Sequence, residues 1–143
     1  MKFANIDNLT RSNQYSEKLK INIGDYMQLI AIDNLYRYMG ISSKDIVHMK
    51  SEDLATYKGE KLILPINFMI AKYEFSPFKF DGKMGFSEDI IPVFIGLSFK
   101  DGFWEYTEQC INYLKKYEPI GCRDYFVYQN LKNLGVDVYL AGC

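Results

Sequence analysis

The chain has 143 residues, of which 48% are apolar and 24% charged, and a formal net charge of −1. A chain of this size can bury a hydrophobic core without metals or disulfides, so one domain spanning 1–143 is expected. The near balance of 17 basic and 18 acidic residues excludes a nucleic acid or an anionic membrane held mainly by charge. No apolar run approaches the ~20 residues of a membrane span. The N-terminal "MKFANIDNLTRSNQYSEK" lacks the apolar core and cleavage site of a secretory signal. Three cysteines without Cys-x-x-Cys spacing fit reduced thiols, and a cytoplasmic location is expected.

In chain order, "KFANI" reads as a first strand, with "LKINI" as an alternative half-buried one. From Gly24, "GDYMQLIAIDNLYRYMG" predicts a helix that buries Met27, Ala31, Leu35 and Tyr38, reinforced by Ile30 and Met39, and stops at Gly40. "DIVHM" predicts a short strand. "SEDLATYKG" predicts one or two helical turns capped by Ser51 and ended by Gly59. "KLILPINF" is a strand, and "MIAKYEFSPFKFDGKMGFSED" a long irregular excursion of the kind that borders a cleft.

"IIPVFIGLSF" is a continuous apolar run, as in a strand buried on both faces of a parallel sheet. "EYTEQCINYLKKY" predicts a helix presenting Tyr106, Cys110, Tyr113, Leu114 and Tyr117. "PIGC" is a strand. "DYFVYQNLKNLG" predicts a helix burying Val127, Leu131 and Leu134, and "VDVYLAGC" a last strand. Helices alternating with strands define an α/β fold, Rossmann-like, with a mostly parallel sheet and helices on both faces. Ligands of such sheets bind beyond the carboxyl ends of the strands, which draws attention to "NIGD", "INF", "LSFKDG" and "GCRD".

In "NIGDYMQ", Asp25 and Gln28 have the spacing of a capping box, while the helix-start amides at Gly24 and Asp25, with Asn22 beside them, are placed to meet an anion or a sugar hydroxyl. Both roles can hold together. In "GCRDYFVY", Asp124 is the expected helix cap. Arg123, just before it, either forks onto a carboxylate or phosphate or forms a salt bridge to a neighbouring acid. Cys122 lies where a helix dipole and Arg123 could lower its pKa, yet no base partners it, so packing is the expected role. The single histidine, His48, sits inside a strand without an evident orienting acid and is read as structural. No spacing suggests a metal site, and neither Gly-x-x-x-x-Gly-Lys nor Gly-x-Gly-x-x-Gly occurs, so no cofactor is expected.

Taken together, "NIGDYMQLIAIDNL", "YKGEKLILPINF", "IPVFIGLSF" and "PIGCRDYFVYQNLKNLGVDVYLAGC" resemble, in order and spacing, the N-terminal half of the polysaccharide pyruvyl transferase family. The last segment is the most specific, with its Gly-Cys-Arg-Asp turn, helix ending Leu-Gly and strand ending Gly-Cys. The resemblance implies a two-domain architecture like that of GT-B glycosyltransferases, with this chain as the first Rossmann-like half. On that reading the chain is a fragment, inactive alone, that docks to a C-terminal half or dimerises. The implied reaction moves the enolpyruvyl group of phosphoenolpyruvate onto two hydroxyls of a saccharide acceptor and releases phosphate. The implied substrate-binding residues are Gly24, Asp25, Gln28, Asn67 and Arg123, with no catalytic residue identified in this half and no metal. The other reading is a non-catalytic Rossmann-like binding module or a degenerate remnant; a flavodoxin-like or receiver domain lacks its own diagnostic residues here.

Overall fold

A computed structural model describes residues 1–6, 23–50, 53–67, 69–70, 85–99 and 107–142. The elements in order are β1 (Lys2–Ile6), α1 (Ile23–Tyr38), β2 (Ile46–Met49), β3 (Leu62–Ile66), β4 (Met69–Ile70), β5 (Ile90–Phe94), β6 (Ser98–Phe99), α2 (Glu108–Lys115), β7 (Ile120–Cys122), α3 (Tyr125–Asn133) and β8 (Val138–Leu140). The "LKINI" strand, the Ser51 cap and most of the excursion after Ile70 lie outside the described residues.

Four strands form a parallel sheet in the order β2-β1-β3-β5. Past a kink, β3 and β5 continue as β4 and β6, which pair with each other, and β7 pairs with β8, again in parallel. A single bridge, Leu97 to Cys122, joins the β5 side to β7. The chain therefore winds outward from β1 to β2, returns to β3 and proceeds the other way. The reversal lies between β1 and β3, where sheets of this kind take their ligands. This is the expected α/β fold with a parallel sheet.

The alternation of side chains along the strands separates two layers. Ala4, Ile6, Met49, Leu62, Leu64, Ile66, Ile90 and Phe94 face a core completed by Leu54, Phe86, α2 (Cys110, Ile111, Leu114) and α3 (Val127, Leu131). On the opposite face Phe3 meets Tyr36 of α1, with ring centroids 5.3 Å apart. Helices thus cover both faces.

Two apolar assignments differ from expectation. In α1 the buried residues are Ile32 and Tyr36, whereas Met27, Ile30, Ala31, Leu35, Tyr38 and Met39 are exposed, Met27 at 65% and Tyr38 at 91%. The helix lies on the sheet through the face that also carries Asp33, because that carboxylate finds partners on β1 and β2. In α3 Val127 and Leu131 are buried as expected, but Leu134 is exposed at the turn, where Gly135 takes a φ of 74°. The run "IIPVFIGLSF" is also not one uniform strand: the amides of Ile95 and Gly96 both donate to the Ile66 carbonyl at 3.0 Å, a bulge that inserts one extra residue opposite β3.

Candidate functional site

The carboxyl edge of the sheet gathers several of the residues singled out in the sequence. Asn67 follows β3 directly, and its Nδ2 donates to the Gln28 carbonyl of α1 at 3.3 Å. The α1 start and the β3 end are therefore brought together, with Gly24 and Asp25 one turn further along the helix. Because α1 begins at Ile23, Asp25 lies within the first turn rather than at the cap, so the capping-box expectation for Asp25 and Gln28 is corrected. The other side of Asn67 touches the bulge: a Cβ on Gly96 would stand 3.3 Å from the Asn67 Cα. Glycine at that point lets the two strands close up at the edge.

Arg123 ends β7. Its amide donates to the Leu97 carbonyl at 2.8 Å, which fixes the backbone, while no ion pair engages its guanidinium among the described residues. The half-buried side chain leaves the sheet next to the β5–β6 kink, two strand spacings, or about 10 Å, from Asn67. Asp124 is the helix cap, as expected. One carboxylate oxygen accepts the Val127 amide at 2.9 Å and the other the Ser98 hydroxyl at 2.7 Å, which ties α3 to β6. The salt bridge that Arg123 might have made with this adjacent acid is absent.

Cys122 is fully buried, and burial, followed by the nearby Asp124 carboxylate, pushes its thiol up to about 11. The lowering that a helix start and Arg123 could have caused does not occur, so Cys122 is a packing residue. No cluster of three or more metal-ligating side chains occurs among the described residues.

The sequence reading missed His48. Its Nε2 lies 3.1 and 3.2 Å from the two carboxylate oxygens of Asp33, and its side chain is 47% exposed. Asp33 is in turn held by Asn5, whose Nδ2 donates to Asp33 Oδ1 and to the Leu29 carbonyl, both at 2.9 Å, while its Oδ1 accepts the Ile6 amide. Asn5 pairs with His48 across β1 and β2 and is only 4% exposed. An orienting acid and an accessible tip, the two features judged absent for His48, are both present. The pairing joins residues 15 and 28 positions apart. Only a polar residue on the buried side of α1 hinted at it. Beside His48, a cleft of about 460 Å³ at the end of β2 is lined by Met49, Lys50, Asp53, Thr56 and Tyr57.

The fold and this edge define an α/β protein with a parallel sheet and polar groups along its carboxyl ends. No helix among the described residues is long and apolar enough to cross a membrane. Compared with known proteins, the chain matches no family model, no curated protein and no solved structure.

Proposed function

We propose that this chain is the first Rossmann-like half of a polysaccharide pyruvyl transferase, and that its carboxyl edge holds the anionic donor. The observation that carries the reading is Arg123: a guanidinium at the end of a sheet strand, without an acid to neutralise it among the described residues, on the same edge as Asn67 and the α1 start. A planar fork suits a carboxylate or phosphate oxygen pair, and helix-start amides suit a second anionic group. Phosphoenolpyruvate carries both. Asn67 and Gln28 are placed to meet acceptor hydroxyls, and a second domain would close over the edge, excluding water and bringing the remaining groups for proton transfer.

The reading is tested by titrating phosphoenolpyruvate into the chain and following backbone amide signals. Saturable shifts at Gly96, Asn67 and Arg123 are expected. Arg123→Lys should weaken that binding tenfold or more while leaving the thermal midpoint unchanged, because the lysine keeps the charge but loses the two-pronged geometry. Absence of saturation at millimolar donor, or undiminished affinity in Arg123→Lys, would overturn the reading.

A further inference from the structure

The cleft at the end of β2 is built by residues that the transferase reading does not use, and it lies four strand spacings, about 19 Å, from Arg123. We infer that it is a second ligand site, for a small neutral polyhydroxylated molecule, with His48 as its fixed hydrogen-bond acceptor.

The inference starts from protons. An ionised carboxylate only accepts hydrogen bonds, so the contact between His48 and Asp33 places the hydrogen on Nε2. In the neutral ring Nδ1 then carries a lone pair, and it has no hydrogen-bond partner among the described residues. The orientation of the ring is set two steps inward, since Asn5 fixes Asp33 and is itself fixed by the Leu29 carbonyl and the Ile6 amide. Stability gives little reason for such a chain. A half-exposed ion pair contributes roughly 0–1 kcal/mol, whereas burying a carboxamide on a central strand is costly wherever it is not fully bonded. Holding one imidazole in one tautomer is what the arrangement achieves, in the manner of the supporting contacts behind binding and catalytic histidines.

The lining selects the ligand. Lys50 and Asp53 carry opposite charges that cancel, and Asp33 stands behind His48, so a phosphate gains no net attraction there. The Thr56 hydroxyl, the Asp53 carboxylate and His48 Nδ1 are short polar groups suited to hydroxyls, and the Tyr57 ring offers an apolar wall to a C–H face. The volume of about 460 Å³ lies in the range of small-molecule sites.

His48 is the only histidine in the chain, so its ring can be followed without ambiguity. The test is a nitrogen-detected NMR titration with myo-inositol, methyl glucoside and glycerol as probes, read at the imidazole and at the backbone amides. At least one probe should give saturable shifts confined to residues 48–50 and 53–57, moving Nδ1 and leaving the Nε2–H intact. His48→Phe, which keeps the ring and removes its nitrogens, should weaken that binding at least tenfold. Because the side chain is half-exposed, the variant should keep the amide spectrum of the folded protein. Asp33→Asn, by loosening the ring, should weaken binding several-fold and leave the phosphoenolpyruvate titration at Arg123 unchanged. The inference fails if none of the probes saturates, if binding is equal in His48→Phe, or if the ring proton is found on Nδ1.

Discussion

Tyr36 shows how one side chain records the burial around it. Its hydroxyl donates to the Ala4 carbonyl at 2.7 Å, and the ring is 2% exposed between α1 and β1. Burial, and after it the Asp33 carboxylate, holds the phenol well above its ordinary value of 10.0; Tyr113 is raised too, chiefly by burial. An unfolded tyrosine ionises near pH 10 and these two do not. Their contribution to stability is therefore complete below about pH 10 and declines as the pH rises from there toward the folded value. A spectrophotometric titration should show at least two of the 12 tyrosines ionising only as the chain unfolds. Tyr36→Phe should cost about 1–2 kcal/mol in a denaturant melt, since the donor to a buried carbonyl is lost while the ring remains. It should also remove part of the alkaline loss of stability. A melt unchanged by the substitution would mean that the Ala4 contact adds nothing.

At the level of the element, α1 separates what periodicity can tell from what it cannot. Apolar residues occur nearly all round this helix, and two interleaved stripes compete: Met27, Ala31, Leu35 and Tyr38, and Leu29, Ile32 and Tyr36. The first looks purer because the second contains Asp33, and a charge normally marks a solvated face. The second is the buried one. Its acid is satisfied by Asn5 and His48, partners supplied by strands that the helix cannot know about locally. Met27→Lys should consequently shift stability by no more than about 0.5 kcal/mol, whereas Ile32→Ala should cost about 2–5 kcal/mol. The reverse ranking would restore the stripe expected from the sequence. For the same reason the strands, α2, α3, the Asp124 cap and the position of Arg123 were legible, each being set by neighbours within a few residues. The His48 cluster was not legible, because it exists only once β1, α1 and β2 have assembled.

For the whole molecule, the parallel sheet has a narrow join. Between the β5–β6 line and β7, the backbone bonds among the described residues are Leu97 N–H to the Gly121 carbonyl at 2.7 Å and Arg123 N–H to the Leu97 carbonyl at 2.8 Å. Gly121 makes the close approach possible. A Cβ there would lie 2.6 Å from the Tyr139 hydroxyl and 2.9 Å from the Phe94 carbonyl, so Tyr139 of β8 passes over the glycine toward β5. Gly121→Ala should cost about 1–3 kcal/mol by overpacking. Adding Tyr139→Phe should recover only part of it, since the Phe94 carbonyl is backbone and cannot swing away; full recovery would show that the tyrosine alone set the limit. The position of Arg123 on this join has a thermodynamic consequence. A ligand that engaged Arg123 on one side and Asn67 on the other would bind only while the two parts of the sheet stay joined. Its occupancy would then add directly to the cohesion of the sheet, rising with the logarithm of its concentration above the dissociation constant. Recognition at the edge and the integrity of the fold would become linked functions of one chemical potential.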